Sequence, residues 1–351
     1  MTTDHHEGAA SADDVLELER IAALGWPGLE TKVVDGWLLR AGGGWTGRAN
    51  AALPLRDAGD DLDAVLRRVA RWYRTRDLPP LVQVPLPACT SLRDRLVDRG
   101  WVDRWGAVVL TAAIDDVLER TQSRPDLPPV TFGDAPDLAW LDAYHYLGGS
   151  LPEVAVDVLR AGAPCFLSVA EGGETISICR IAVTDGWLGI TAVEVAQAHR
   201  RRGLATNLLV AALGHARAGG ATRVYVQTTD DNEATLTLYC RAGFTRHHHY
   251  RYHGPPPDVG GGRARSAAHE QAQHVPEQQR QAREQLHRRR DRAVRRVGVQ
   301  HLAGVVEDGP TRVGDHRHAE PRAQLEPEQD RRHDRDERDD GAPLQEGAED
   351  R

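Results

Sequence analysis

Three arginines and a glycine, Arg200-Arg201-Arg202-Gly203-Leu204-Ala205, are the residues of this 351-residue chain that most clearly suit a chemical task. The run before them, Trp187-Leu188-Gly189-Ile190-Thr191-Ala192-Val193-Glu194-Val195, reads as a strand. The run after them, Thr206 to Ala218, sets Leu208, Leu209, Ala212, Leu213 and Ala216 at helical spacing. A strand turning through Arg-x-x-Gly-x-Ala into a helix aims free backbone N–H groups and the positive helix end at one spot. That spot suits a pyrophosphate. Gly203 allows close backbone approach, and Arg200, Arg201 and Arg202 add positive charge. Taken alone, the loop fits a solvated arginine-rich turn equally well.

A second motif removes that ambiguity. Asn232-Glu233-Ala234-Thr235-Leu236-Thr237-Leu238-Tyr239-Cys240-Arg241-Ala242-Gly243-Phe244 follows the strand-like Arg223-Val224-Tyr225-Val226-Gln227-Thr228-Thr229. In order and separation, the pair resembles the GCN5-related N-acetyltransferases, the GNAT superfamily. Their pyrophosphate loop reads Gln/Arg-x-x-Gly-x-Gly/Ala, and their next helix reads Asn-x-x-Ala-x-x-Leu-Tyr-x-x-x-Gly-Phe. Arg200, Gly203 and Ala205 fit the first pattern; Asn232, Leu238, Tyr239, Gly243 and Phe244 fit the second. Thr235 stands where Ala is usual and Gln197 where Pro is frequent, and neither closes the groove.

The resemblance implies an acetyl-CoA-dependent N-acetyltransferase acting on a primary amine. It implies that backbone N–H groups of Arg201, Arg202, Gly203, Leu204, Ala205 and Thr206 hold the pyrophosphate, with Asn232 assisting from the facing helix. The strand Val193-Glu194-Val195 would splay from its neighbour to hold the pantetheine arm. Val195 would then offer its N–H to the acetyl carbonyl, and Tyr239 would protonate the departing thiolate. Tyr239 also has a plain reading, as a packed aromatic of an amphipathic helix.

The general base stays open at this point. Glu194 on the cofactor strand could accept the ammonium proton directly or through water. Its side chain must point opposite to Val193 and Val195, and on a helix-covered face its burial would demand a partner. Ordered water or His145 are the alternatives. His247-His248-His249 alternates along the final strand, so at most His247 and His249 converge. No Cys or carboxylate pattern accompanies them, and no metal is expected.

These residues need a scaffold, and residues 129–253 supply one. Val130-Thr131-Phe132 reads as a first strand, followed by helices over Asp137 to Tyr146 and Glu153 to Ala161. Cys165 to Ala170 and Thr175 to Val183 flank the turn Glu171-Gly172-Gly173 as a hairpin. The cofactor strand, loop and helix, the Arg223 strand and the Asn232 helix follow, and Phe244 to His253 closes the sheet. The fold expected is α/β (α+β): a mixed, mostly antiparallel GNAT sheet flanked by helices.

The segment 20–120 repeats part of that order. Trp37 to Arg40 and Ala49 to Leu55 read as strands around Gly42-Gly43-Gly44, Leu62 to Arg76 as a helix, and Leu81 to Val84 as a strand. Ser91 to Arg99 reads as a helix and Trp101 to Thr111 as a strand. Leu96-Val97-Asp98-Arg99-Gly100-Trp101 echoes Leu238 to Phe244, but Arg-x-x-Gly-x-Ala is missing. We expect a degenerate GNAT-like half without its own cofactor, a flexible terminus over 1–19, and a linker over 121–128. The stretches Gly25-Trp26-Pro27-Gly28-Leu29-Glu30, Asp35-Gly36-Trp37-Leu38-Leu39-Arg40, Gly47-Arg48-Ala49-Asn50 and Leu53-Pro54-Leu55 are similar to actinobacterial tandem GNAT proteins known as N-acetylglutamate synthases. That narrower resemblance implies L-glutamate as acceptor. Arg48 and Asn50, on a polar strand end, could reach a carboxylated acceptor bound between the halves. Rival readings are acetylation of a protein N-terminus, a lysine or an aminated small molecule, and a non-catalytic acyl-CoA sensor.

Composition bounds the rest. A net charge of −8 argues against general nucleic-acid binding. No apolar run approaches a membrane span and no signal peptide is evident. The scattered Cys89, Cys165, Cys179 and Cys240 read as reduced thiols of a cytoplasmic protein. The tryptophans read as core and interdomain packing rather than a nucleic-acid stacking surface. Every Trp, Tyr, Phe, Ile, Asn and Cys precedes His253, and residues 254–351 cannot bury enough apolar surface to order themselves. Two expectations fit that stretch: a disordered extension, or a reading frame that has run past its natural end.

Overall fold

The apolar stripe of residues 204–218 sets the architecture, because Leu204, Leu208, Leu209, Ala212, Leu213 and Ala216 are all buried against one sheet. The computed structural model describes residues 10–145 and 151–256. In chain order the elements are α1 (Ala12–Gly25), β1 (Glu30–Val34), β2 (Trp37–Ala41), β3 (Leu53–Pro54), α2 (Leu62–Arg74), β4 (Val82–Leu86), α3 (Thr90–Val97), β5 (Val102–Ala113) and α4 (Ile114–Arg120). There follow β6 (Val130–Gly133), α5 (Leu138–Ala143), α6 (Val154–Arg160), β7 (Cys165–Glu171), β8 (Glu174–Thr184), β9 (Trp187–Val195), α7 (Leu204–Ala218), β10 (Arg223–Thr228), α8 (Glu233–Arg241) and β11 (Thr245–Gly254).

A three-stranded sheet runs β1-β2-β3, and an eight-stranded sheet runs β4-β11-β5-β10-β9-β8-β7-β6. Within the larger sheet every neighbouring pair is antiparallel except β9 with β10. A parallel bridge between Ala52 and Val82 links the two sheets.

The order β4-β11-β5-β10 has a specific meaning. Each half of the chain contributes one strand–helix–strand unit, β4-α3-β5 and β10-α8-β11. Neither unit pairs its own two strands directly. β11 sits between β4 and β5, and β5 sits between β10 and β11. Each half therefore completes the other's sheet, and the antiparallel pair β5–β11, from Thr111↔Thr245 to Val102↔Gly254, is the seam.

Most predicted elements lie where their periodicity set them. Three corrections concern the first half and its boundary. The expected flexible terminus over 1–19 is overturned for residues 12–19, which belong to α1. Ser11 caps that helix and exchanges hydrogen bonds with Asp14, a capping box, and Val15, Leu18, Ile21 and Ala22 face the core. Residues 49–55 form strand only at Leu53–Pro54, because Ala49, Asn50 and Ala51 belong to a closed loop. β1 and α4 were not expected at all; β1 is almost wholly exposed and so lacks alternation. The expectation for residues 254–351 falls on residues 257–351, outside the described ones.

Two buried polar assemblies tie the halves together. Glu19 on α1, 1% exposed, meets His248 Nε2 of β11 at 2.8 Å and accepts a 2.6 Å bond from Gln83 Nε2 of β4. Gln83 Oε1 in turn accepts from Arg40 Nη2 of β2 at 2.6 Å. Arg180 on β8 is fully buried with no carboxylate beside it among the described residues. It donates to Gly25 O at the end of α1 and to Leu159 O and Ala161 O at the end of α6. The negative ends of two helices thus compensate this guanidinium, although burial still pulls its pKa down to about 10. Among the described residues no helix is long and apolar enough to cross a membrane.

Candidate active site

The site grows from the parallel pair of the larger sheet, β9 and β10. β9 and β10 stay in register from Trp187↔Arg223 to Ile190↔Val226 and then part. Beyond that point β10 continues to pair with β5, through Gln227↔Val109 and Thr228↔Val108, while β9 follows β8. A V-shaped opening results between the ends of two neighbouring strands. Ala196 N–H bonds to Ile176 O of β8 at 2.8 Å. Since N–H groups alternate sides along a strand, Val195 N–H and C=O turn away from β8 into the opening. Arg200 Nε reaches Val195 O there, at 3.2 Å.

A bulge decides where Glu194 points. The register passes from Ile178↔Glu194 to Arg180↔Thr191, so β9 holds one extra residue, and Ala192 takes φ +50°. Leu188 and Ile190 face α7, and after the bulge Val193 and Val195 still do. Ala192 instead packs with Trp140 and Tyr144, and Glu194 turns to that face, toward α5 and α6. Its burial does come with a partner. Glu194 Oε1 accepts the His145 backbone N–H at 2.9 Å, and Oε2 lies 3.5 Å from His145 Nδ1. Burial raises the Glu194 pKa above the usual carboxylate range, against opposing pulls from His145 and Arg200. His145 follows the C-cap Tyr144 and so lies beyond α5, not on a helix face.

The geometry of the loop suits an anion. After a single 3₁₀ turn over Gln197–His199, Arg201 takes φ +68° and Gly203 φ +93°. Gly203 is the N-cap of α7 and offers no side chain to cap it. The first intrahelical bond runs from Asn207 N–H to Gly203 O, so the amides of Leu204, Ala205 and Thr206 have no partner inside the helix. The three arginines divide their tasks. Arg200 folds onto Val195, Arg201 is exposed, and Arg202 forms a two-pronged pair with Glu171, both arms at 2.7 Å. Arg202 thus presents its amide, not its guanidinium, to the loop. Asn207 is the one polar side chain on the buried face of α7; a polar residue in an apolar stripe was the overlooked signal.

Tyr239 is buried among the residues that α7 covers, its ring edge-on to Phe244 with centroids 5.0 Å apart. Burial pushes the pKa of its phenol well up. α8 ends in a Schellman motif: Phe244 N–H bonds Tyr239 O at 3.0 Å, Gly243 N–H bonds Cys240 O at 3.1 Å, and Gly243 takes φ +97°. Hence the Tyr-x-x-x-Gly-Phe spacing: glycine turns the chain back so that Phe244 braces Tyr239. Asn232 is the N-cap of α8, its Oδ1 accepting from Thr235 N–H at 3.3 Å.

The residues expected at the acceptor separate. Arg48 lies in the loop between β2 and β3, 4.8 Å above the Trp26 ring, with Nη1 donating to Gln227 Oε1 at 3.0 Å. Asn50 is saturated within that loop, and this corrects its expected reach to a substrate. Its Oδ1 accepts from Gly42 and Gly44, both at 2.8 Å, and its Nδ2 donates to Trp45 O and Thr46 O. The expected convergence of His247 and His249 is also overturned. A register shift between Arg246 and His248 turns His247 toward His248, with Nδ1 atoms 2.8 Å apart. Among the described residues no group of three His, Cys, Asp or Glu side chains is placed to hold a metal ion.

Comparison with known proteins decides the family. Residues 12–253 match the family described as "Probable histone acetyltransferase Rv0428c C-terminal". The chain belongs to this family of GNAT-type acetyltransferases. It is 36% identical over 245 residues to the "Probable histone acetyltransferase Rv0428c" of Mycobacterium tuberculosis, covering 67% of this chain and 72% of that protein. It is 28% identical over 249 residues to the "Uncharacterized N-acetyltransferase YobR" of Bacillus subtilis, covering 68% of this chain and 98% of that one. In structure it is similar to a GCN5-related N-acetyltransferase from Kribbella flavida, with TM-score 0.54 and 16% identity, over 70% of this chain and 96% of that one. The fold is the GNAT fold and the chain is an N-acetyltransferase, with acetyl-CoA as the cosubstrate that this fold implies.

The first half of this acetyltransferase repeats the helix stop of α8. α3 closes with Trp101 N–H on Leu96 O and Gly100 N–H on Val97 O, Gly100 at φ +76°. Leu96 therefore stands where α8 has Tyr239. No hydroxyl is available there.

Proposed function

We propose that the chain transfers acetyl from acetyl-CoA to the primary amine of a small, carboxylate-bearing acceptor, with L-glutamate first among candidates. The observation that carries this reading is the Arg48–Gln227 contact at 3.0 Å, beyond the point where β9 and β10 part. It sets a cation beside the opening, where a carboxylate would find it. Asn50 would serve the acceptor indirectly, by closing the loop that carries Arg48.

In this reading residues 129–253 are the catalytic half, 20–120 a degenerate half that frames the acceptor side, and 121–128 the link. Backbone amides from Arg201 to Thr206 hold the pyrophosphate, and Asn232 assists across the opening. Val193 and Val195 line the pantetheine path, and Val195 N–H polarises the thioester carbonyl. Glu194 takes a proton from the acceptor ammonium: an N–H bond breaks, an O–H bond forms, and the freed lone pair attacks the carbonyl. As the carbon–sulfur bond breaks, Tyr239 gives its phenolic proton to the sulfur, and the second proton that the nitrogen sheds on becoming an amide returns, by way of solvent, to the phenolate. Burial raises the proton affinity of the phenol and of a thiolate beside it alike, so their difference governs the step.

A second reading, acetylation of a protein amine, draws on the name of the M. tuberculosis relative. Thiol release from acetyl-CoA, measured against the twenty amino acids and a lysine-rich peptide, separates the two. Fast release with L-glutamate, lost in Arg48→Ala, supports the lead. Release with the peptide alone overturns it, and tight CoA binding without turnover on any amine marks a sensor.

A further inference from the structure

We propose that His145 is the positioning residue for the Glu194 carboxylate, fixing which of its two oxygens takes the acceptor's proton; this rests on the reading of Glu194 as the base. The two oxygens are held unequally. Oε1 is fixed by the His145 backbone N–H at 2.9 Å. Oε2 has only the ring, with Nδ1 at 3.5 Å. The same Nδ1 lies 3.0 Å from Ala143 O, so a hydrogen on it goes chiefly to that carbonyl, and the ring steers Oε2 from 3.5 Å while leaving it room to accept a proton. Oε2 is left as the oxygen that accepts a proton.

The chain around His145 is built to present it. α5 ends at Ala143, and Tyr144, buried as its C-cap, is wedged between Trp140 at 5.4 Å and Trp45 at 6.4 Å. The anchored Tyr144 thus delivers the next residue's amide to Glu194. The His145 side chain stays 66% exposed, whereas that of Glu194 is 27% exposed, so the ring lies between a sheltered carboxylate and solvent. The other charged group acting on Glu194 is Arg200, from the loop after β9. No sequence pattern links residues 145 and 194. The bulge at Ala192–Val193 and the end of α5 bring them together.

The ring and the amide make different demands on a variant. His145→Ala removes the ring and leaves the amide, at an exposed position where folding is unaffected. The test is the pH dependence of kcat for His145→Ala and Glu194→Gln, by thiol release with the amine that the panel above finds fastest. Glu194→Gln should lower kcat about 100-fold or more and abolish the acid limb of the profile. His145→Ala should lower kcat about tenfold and leave KM for acetyl-CoA unchanged. Its acid limb should move to higher pH, because the carboxylate loses a group that favours its charged form. A loss of rate without movement of the limb would reduce His145 to a structural role and overturn the proposal. An unchanged profile in Glu194→Gln would overturn the base reading itself, and this inference with it.

Discussion

Asp61 and Gly203 are the N-caps of α2 and α7, and they give those two helix ends opposite affinities for an anion. Asp61 accepts the Ala64 N–H at 2.9 Å, putting a carboxylate over the helix end. Gly203 does the reverse, capping α7 with backbone alone. Both helices follow a segment that meets the next strand in parallel, Ala52 just before β3 through its bridge to Val82 and β9 through its four-residue register with β10. With Leu96 at the helix stop where α8 has Tyr239, the first half carries neither an uncapped glycine helix start nor a phenol at these two positions.

Tyr239→Phe keeps the ring that packs on Phe244 and removes only the hydroxyl. We expect kcat to fall about 100-fold, the lower range for a positioned acid. The acetyl-CoA dissociation constant should not change. Thiol-release kinetics beside calorimetric titration check this, and unchanged turnover would remove Tyr239 from the mechanism.

Glu194 links activity to stability through pH. Its folded pKa is raised, so the folded state holds the proton more tightly than the unfolded chain does. Stability from this group is then full below the ordinary carboxylate range and is lost as pH rises through the raised value. Glu194→Gln should match the wild type in urea resistance at acid pH and exceed it at pH 8, while losing activity. Chemical denaturation at both pH values reads the difference.

The Glu19–His248 contact closes the seam between the halves, and it is inaccessible on both sides. Removing the Glu19 carboxylate leaves His248 Nε2 and Gln83 Nε2 buried without their acceptor, which costs about 1–3 kcal/mol. Glu19→Ala should lose that much in urea unfolding, with acetyl-CoA affinity of the folded fraction intact. A loss under about 1 kcal/mol would mean that the site admits water.

Much of this was legible in the sequence, because the informative residues are local. Gly203, Gly243 and Phe244 signal a helix start and a helix stop, and the apolar stripe of α7 needs no tertiary knowledge. What stayed hidden depends on distant pairing. Glu194's orientation follows from a bulge at Ala192, a residue type that does not announce φ +50°. Asn50 looks like a binding residue by type and proves to be loop closure, because its four partners lie within eight residues yet on a non-repeating path. The exchange of β5 and β11 joins residues about 140 positions apart, beyond any periodicity.

The most direct test of the account is the stoichiometry of acetyl-CoA binding by calorimetry, in the full chain and in two variants. One molecule per chain is expected. Gly203→Val forces a branched residue into φ +93° and should weaken binding at least about tenfold, on the scale of backbone strain of 1–3 kcal/mol. Asp61→Asn, at the head of the other helix, should leave both affinity and stoichiometry unchanged. Two sites per chain, or binding lost through Asp61 and kept through Gly203→Val, would contradict the assignment of the cofactor cleft to β9, β10 and the Gly203 loop.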